Sequence, residues 1–207
     1  MGSAAPRAYV DYATYLQIER EADWKHEWFD GQVYAMAGGT LAHSQLSTRM
    51  TTALSRLADA CSCGVFNSDA KVRVRATGRA TYPDASVVCG PVAPDQEDPN
   101  AMTNPTVLVE VLSDSTESDD RGDKFHHYRR IESLKHYVLV SQHERRVEVL
   151  TRAEGGRWEL AVAEAGERFE LAALSGGIAV DQVYQGVALT PRDKPAEPTV
   201  PRRARPA

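Results

Sequence analysis

Residues 106–112 read TVLVEVL, an apolar run of strand length that contains one carboxylate. A continuous apolar run of this length predicts a strand that is buried on both faces of a sheet. Because side chains alternate along a strand, we expect Glu110 on the same face as Leu108 and Leu112. A buried carboxylate is costly unless a partner compensates it, so the run indicates either a chemical site or a strand-end ion pair with Lys or Arg.

Outward from this strand, hydrophobic periodicity and turn residues divide the chain into helices and strands. The predicted helices cover residues 9–22, from Thr40 or His43 to Gly64, and 121–131. The predicted strands cover 27–36 (a hairpin turning at Asp30-Gly31), 65–74, 81–89, 106–112, 136–141, 146–152 and 158–163, with short pieces at 169–171 and 177–180. This order predicts an α+β (α/β) fold, a mixed central β-sheet flanked by helices with an N-terminal helix and hairpin.

Length and composition predict one folded domain. The chain has 207 residues, of which 42% are hydrophobic and 26% charged. We expect a flexible N-terminus over residues 1–8, the folded domain over 9–190 and a disordered Pro/Arg-rich tail over 191–207. No stretch approaches the roughly 20 apolar residues of a membrane span, and no apolar run resembles a secretory signal, so we expect a cytoplasmic protein with no membrane partner.

Charge and cysteine usage exclude some classes of protein. A net charge of −5 argues against a protein that holds nucleic acid by bulk electrostatics alone. The cysteines are Cys61, Cys63 and Cys89, and their odd number and C-x-C spacing match neither a disulfide framework nor an ordinary zinc site. We therefore expect reduced thiols, with a redox role as the alternative.

A second carboxylate, Asp84, follows Pro83 at the start of an apolar strand. Alone it is typical of a turn. If its strand neighbours that of Glu110, the two charges converge, and about 4 Å of separation at an effective dielectric near 20 costs roughly 4 kcal/mol. Either one carboxylate then holds a proton or a cation lies between them. Oxygen ligands of this kind favour Mg²⁺ or Mn²⁺.

Two sets of cations also lie in informative places. Lys124, one turn after Asp120, is placed to stabilise phosphate charge or orient a water, and the alternative is an exposed lysine paired with Asp120 or stacked on a tyrosine. Lys71, Arg73 and Arg75 alternate along a predicted strand. They form either a face that contacts a nucleic-acid backbone or an ordinary solvated face.

Taken in order, these motifs resemble the Uma2 (DUF820) family of the PD-(D/E)XK restriction-endonuclease-like superfamily. The matching segments are Glu27-x-x-Asp30-Gly31-x-Val33-Tyr34-x-Met36, His43 before a helix, Pro83-Asp84, Glu110 to Thr116, Asp120 with Lys124 and Tyr128, and His136 to Val140. The resemblance covers about residues 12–189. It implies a restriction-endonuclease-like core.

The resemblance also implies roles for single residues. Asp84 matches the aspartate of the PD motif, and Glu110 matches the acidic residue of the second half-motif. The lysine of the superfamily would fall at Leu112, which cannot perform its chemistry, and Lys124 matches the place to which Uma2-like chains move it. Glu27 matches an acidic residue contributed near the N-terminus.

The function implied is that of a Mg²⁺-dependent endodeoxyribonuclease. Asp84, Glu110 and the backbone carbonyl of Val111 would hold Mg²⁺ or Mn²⁺, and the ion would activate a water that attacks a phosphodiester of DNA. Lys124 would position or help to deprotonate that water, and Glu27 would act through water or a second ion. Cutting both strands with one site per chain needs two chains, which favours a homodimer.

Two other functions remain open from the sequence. A catalytically silent nuclease-like fold that binds nucleic acid or protein is favoured by the acidic net charge and by the missing in-strand lysine. A hydrolase that acts on sugars with two carboxylates predicts a cleft rich in aromatic residues, which make up only 7% of this chain.

Overall fold

The computed structural model describes residues 8–36, 38–189 and 192. The flexible N-terminus and the disordered tail that we predicted therefore lie outside the described residues, apart from Ala8 and Arg192. The α-helices are α1 (Tyr12–Glu21), α2 (Leu41–Ala58), α3 (Glu117–Asp119), α4 (Phe125–Tyr128) and α5 (Val180–Val183). Within the described part of the chain, no helix combines the length and apolar character that a bilayer crossing requires.

Thirteen strands complete the described structure. They are β1 (His26–Phe29), β2 (Gln32–Ala35), β3 (Cys63–Asn67), β4 (Lys71–Val74), β5 (Arg79–Thr81), β6 (Ala85–Cys89), β7 (Ala101–Met102), β8 (Val107–Leu112), β9 (His136–Ser141), β10 (Arg146–Arg152), β11 (Trp158–Glu164), β12 (Arg168–Leu171) and β13 (Gly176–Ala179). The central sheet has the order β11-β10-β9-β8-β6-β3, and a second sheet has the order β2-β1-β5-β4-β7. Both are mixed, because β8 pairs with β9 and β4 pairs with β7 in parallel. The predicted α+β class is confirmed.

Strand β8 lies in the interior of the central sheet, and all six of its residues are buried. Val107, Val109 and Val111 pack in the same core as the apolar face of α2. Leu108 and Leu112 belong to the core on the other face. Glu110 shares that second face, as the alternation predicts, so its carboxylate enters an otherwise apolar layer.

The N-terminal hairpin forms as predicted. Asp30 and Gly31 have φ angles of 48° and 71°, the left-handed values that a tight two-residue hairpin turn requires. The side chain of Asp11 accepts a hydrogen bond from the Thr14 amide and caps α1. Trp28 of β1 then packs against the tyrosines of α1 in a small third core, which fixes α1 against the hairpin at the edge of the second sheet.

Two predicted strands were wrong in extent. The strand predicted over 65–74 divides at residues 68–70 into β3 and β4, and the strand predicted over 81–89 divides at residues 82–84 into β5 and β6. In each case the two halves belong to different sheets. Pro83 lacks an amide hydrogen for the ladder, which explains the second break. Asp84 therefore lies where the chain passes from one sheet to the other.

The helix predicted over 121–131 also differs. The observed helical segment 117–128 consists of α3, a π-helical turn from Asp120 to Lys124, and α4. Asp119 and Asp120 lie inside this segment and do not cap it. A π turn adds one residue to a helix, and such turns are common at functional sites. Upstream, α2 ends at Ala58, so the predicted stop at Gly64, which lies in β3, was also wrong.

The expectation of three reduced thiols is not met. Cys63 of β3 lies directly opposite Cys89 of β6, and the two form a disulfide. Cys61 keeps its thiol. The sequence could not reveal this pairing, because the two strands that align the bonded cysteines are separated by a turn, a second-sheet hairpin and the Pro83 break.

Candidate active site

An acidic cavity of about 760 Å³ opens between the hairpin, the start of α2, the ends of β6 and β8, and the helical segment 117–128. Its acidic lining residues are Glu27, Asp84, Glu110, Asp114, Asp119 and Asp123. Its basic lining residues are His43, Arg79 and Lys124. Carboxylates thus outnumber basic groups by two to one, so the cavity attracts cations and repels a bare polyanion.

Asp84 and Glu110 project from neighbouring strands. In the antiparallel pair β6–β8, Ala85 lies opposite Val109, and the same register continued by one residue places Asp84 opposite Glu110. Residues opposite each other in an antiparallel pair point to one face with Cβ atoms about 5 Å apart. The two strands are therefore neighbours, which is the condition that the sequence analysis set for the two charges to converge, and both acids line the cavity.

The carboxylate of Asp84 is held by two donors on different elements. Its Oδ2 atom accepts a hydrogen bond of 2.7 Å from the Val111 amide and lies 3.3 Å from Nε2 of His43. His43 stands in the first turn of α2, where the side chain of Thr40 caps its amide. Burial alone would lower the pKa of His43, but the hydrogen bond and charge of Asp84 outweigh it, so the pKa is raised.

Glu110 is buried, with 4% of its surface exposed. Its Oε1 atom accepts a 2.9 Å hydrogen bond from the Tyr128 hydroxyl and lies 3.3 Å from Nζ of Lys124. Burial raises the pKa of Glu110 well above its ordinary value, Lys124 opposes that shift, and the neighbouring acids Asp120 and Asp84 reinforce it. Lys124 alone therefore does not offset the burial of Glu110 and the negative charge of its neighbours.

Lys124 is shared among three carboxylates. Its Nζ atom lies 3.1 Å from Asp120, 3.3 Å from Glu27 and 3.3 Å from Glu110. Burial would lower the pKa of Lys124, but the three carboxylates raise it well above the ordinary value. A lysine held in this way stays protonated at neutral pH. It can donate hydrogen bonds and positive charge, but it cannot take a proton from water.

Glu27 joins this cluster from the N-terminal hairpin. Besides Lys124, its carboxylate lies 3.6 Å from an Arg79 nitrogen and accepts a hydrogen bond of 3.4 Å from the Tyr82 amide. Arg79 itself is buried and binds Asp119 through two nitrogens, at 2.6 and 3.3 Å. Glu27, which the resemblance assigned to the site, thus lines the same cavity as Asp84 and Glu110. The sequence analysis did not assign Arg79 or Asp119 to the site, because their link joins the second sheet to the helical segment 117–128 and has no local spacing signal.

The donor set fits a hard divalent cation. Within residues 8–36, 38–189 and 192, Asp84 Oδ1 and Glu110 Oε2 have no hydrogen-bond or ion-pair partner, although the other oxygen of each acid is engaged. Carboxylate and carbonyl oxygens suit Mg²⁺ and Mn²⁺. In the same residues, no three carboxylates or imidazoles bring ligand atoms within 4.8 Å of one another. The candidate side-chain ligands are therefore two acids, Asp84 and Glu110, and not three.

The cations predicted to contact nucleic acid lie elsewhere. Lys71 and Arg73 are only 5% and 8% exposed. Lys71 forms a 2.8 Å ion pair with Asp98, Arg73 stacks in the aromatic core beside α1, and Arg75 pairs with Asp95 at 2.7 Å. Lys71 and Arg73 therefore hold the second sheet together and present neither of the two exposed faces considered from the sequence, the one that contacts nucleic acid or the solvated one.

Comparison with known proteins assigns these features a family. Residues 12–182 match the model of the Uma2 family, described as "Putative restriction endonuclease". The uncharacterized protein slr1290 of Synechocystis sp. is 38% identical over 89% of this chain and 96% of its own, and sll1609 of the same organism is 30% identical over 72% and 84%. The crystal structure of "a putative nuclease belonging to DUF820" from Anabaena variabilis shares the fold, with a TM-score of 0.68, 14% identity, and coverage of 83% of this chain and 95% of that one.

Proposed function

The chain belongs to the Uma2 family, and on that premise we propose that it is a metal-dependent endonuclease that hydrolyses phosphodiester bonds in DNA. One observation carries the proposal. Asp84 and Glu110 face one acidic cavity from adjacent strands, and Lys124 from the helical segment 117–128 meets Glu110 there. We further propose that residues 9–190 form the nuclease domain and that it acts in the cytoplasm, as a homodimer where both strands are cut.

Asp84, Glu110 and the backbone carbonyl of Val111 would hold Mg²⁺ or Mn²⁺. A bound ion of this kind neutralises phosphate charge and lowers the pKa of water. The excess of carboxylates in the cavity supports this role, because a phosphodiester approaches such a surface only when added positive charge offsets the repulsion. The raised pKa of Glu110 supports it as well, since burial and the neighbouring acids disfavour its charged form and a bound cation would offset both.

Lys124 would supply fixed positive charge to the phosphate and orient the attacking water by donating a hydrogen bond. Its raised pKa keeps it protonated, so it does not serve as the base. Glu27 and Asp120 would hold the lysine in place from two sides. This arrangement explains how a lysine on a helix can replace one at position 112, where the strand carries a leucine.

His43 would position Asp84. Its ring nitrogen contacts the same carboxylate oxygen that binds the Val111 amide, which leaves Oδ1 directed away from both donors. A fixed carboxylate loses less entropy when a ligand binds, so His43 would preorganise Asp84 for the ion. Thr40, which caps α2, also donates to Gln142 at 2.9 Å and ties this helix start to the end of β9.

Supercoiled plasmid tests the proposal directly. We expect nicking with Mg²⁺ or Mn²⁺, none with EDTA, and a loss of at least about 100-fold in Asp84→Asn and Glu110→Gln. Glu132→Gln is the matched control, because Glu132 is exposed and lies outside the cavity. Nicking that survives both site variants would contradict the proposed residues. Metal-dependent DNA binding without cutting by the wild type would instead favour a silent binding module.

A further inference from the structure

We propose that Cys61, Cys63 and Cys89 form a thiol–disulfide exchange site, in which Cys61 displaces Cys89 from its bond to Cys63. The three sulfurs lie within 4.8 Å of one another. None of the three residues lines the acidic cavity. The proposal therefore stands apart from the nuclease function and does not depend on it.

The attacking and attacked sulfurs are already in contact. Sγ of Cys61 lies 2.9 Å from Sγ of Cys63, and Cys63 is bonded to Cys89. Thiol–disulfide exchange proceeds by approach of a thiolate to one sulfur of a disulfide. A chain that holds these two sulfurs together converts the reaction into an intramolecular one, which raises its rate strongly.

The surroundings allow both exchange and access from solvent. Strand β3 forms an edge of the central sheet, and all three cysteines are half-buried. Cys61 lies in the turn after α2, where its amide donates to the Ala58 carbonyl and its carbonyl accepts from the Cys63 amide. The reactive sulfurs are thus fixed by backbone hydrogen bonds but remain within reach of a small thiol.

The reaction balances without an external oxidant. The Cys61 thiolate forms a bond to Cys63, the bond between Cys63 and Cys89 breaks, and its electron pair leaves on Cys89 as a thiolate. The proton lost by Cys61 passes to solvent or to Cys89. Exchange frees β6 from its covalent link to β3. A low-molecular-weight thiol completes reduction, with two molecules of thiol giving one small disulfide and two protein thiols.

Disulfide mapping tests this inference. The full chain is equilibrated in a buffer of reduced and oxidised glutathione, quenched by acid, alkylated and mapped by peptide mass spectrometry. We expect two isomers in the wild type, Cys63–Cys89 and Cys61–Cys63. Cys61→Ser should retain only the first, Cys89→Ser only the second, and Cys63→Ser neither. Circular dichroism checks that each variant is folded.

The rate of reduction gives an independent readout. We expect glutathione to reduce the wild-type disulfide about tenfold faster than that of Cys61→Ser, because the nearby thiol offers a second route. Equal rates, together with a single Cys63–Cys89 isomer in the wild type, would overturn the proposal. It would equally be overturned if the purified protein carried one equivalent of zinc or copper on three reduced thiols, since the cluster would then be a metal site.

Discussion

Two buried lysines of this molecule have different surroundings. Lys71, in the second sheet, has one carboxylate partner, Asp98, at 2.8 Å, and tyrosine rings at about 5 Å. Lys124, beside the acidic cavity, lies within 3.3 Å of three carboxylates. The first cluster is a single ion pair on the wall of a smaller cavity of about 480 Å³. The second carries surplus negative charge and opens to solvent.

The contrast shows that a buried lysine can stabilise the fold in one place and take part in chemistry in another. A balanced buried pair needs nothing further, and its loss is felt in stability. A cluster with too many acids is costly by itself, and natural proteins keep such clusters where a ligand or cation completes them. Burial alone does not distinguish the two cases, because both lysines are about equally hidden. The number of carboxylates around each lysine does distinguish the two cases.

The largest expected effect is on stability at Lys71. Lys71→Met leaves Asp98 buried without a cation, so we expect the free energy of unfolding to fall by about 3–5 kcal/mol. Urea denaturation measures it, with Lys25→Met as the control, since Lys25 pairs with an exposed acid. Nicking per folded molecule should not change. A stable variant that no longer cuts DNA would reverse the roles assigned to the two lysines.

The next effect is on catalysis at Lys124. Lys124→Met should reduce the nicking rate by about 100-fold or more, because the phosphate loses a fixed positive charge in a site of low dielectric. Plasmid nicking at saturating Mn²⁺ measures the rate, and circular dichroism confirms the fold. Retention of more than half of the wild-type rate would show that Lys124 serves the structure alone.

Metal stabilisation distinguishes the two clusters without any activity assay. A divalent cation that binds only the folded protein should raise the free energy of unfolding by about 1.4 kcal/mol at ten times its Kd. Thermal melts with Mg²⁺, Mn²⁺ and EDTA measure this shift. We expect the gain in the Glu132→Gln control and its loss in Asp84→Asn. An equal gain in both variants would place the ion outside the acidic cavity.

His136 extends the comparison to a buried base with no carboxylate beside it. Burial lowers its pKa to about 4, and Nε2 accepts a hydrogen bond from the Ala173 amide while Nδ1 contacts Thr151. The folded form is neutral, so its contribution is complete above pH 6.5 and is lost as pH falls toward 4. Between pH 7 and 5.5 we expect a loss of about 1 kcal/mol.

Urea denaturation at the two pH values measures this loss. In His136→Gln the part due to this residue should disappear, because glutamine has no proton to gain in this range. An unchanged pH slope in the variant would contradict the assignment.

Much of the fold could be predicted because its signals are local. The apolar run of β8 and the Asp30-Gly31 turn each specify their own geometry. The buried state of Lys71 could not be predicted, because its partner Asp98 is 27 residues away and belongs to a loop. Alternation along a strand shows which side chains share a face, but not whether that face meets water or another layer.

Contacts between residues far apart in the sequence could not be predicted at the site either. The two acids were proposed because each interrupts or opens an apolar strand, and Lys124 because it follows Asp120 by one helical turn and matches the family's lysine. The pairing of Arg79 with Asp119 depends on contact between the second sheet and the helical segment 117–128. No spacing in the sequence encodes that contact.

The π-helical turn from Asp120 to Lys124 makes this protein sensitive to an unusual kind of mutation. A π turn holds one residue more than an ordinary turn, so one residue deleted there would restore ordinary helical winding and leave Tyr128 in register. It would change the spacing between Asp120 and Lys124, whose ion pair spans the turn, although every remaining amino acid was unchanged. The geometry of the cavity thus depends on the number of residues in this segment as well as on their identity. Insertions and deletions would change it in a way that substitutions cannot.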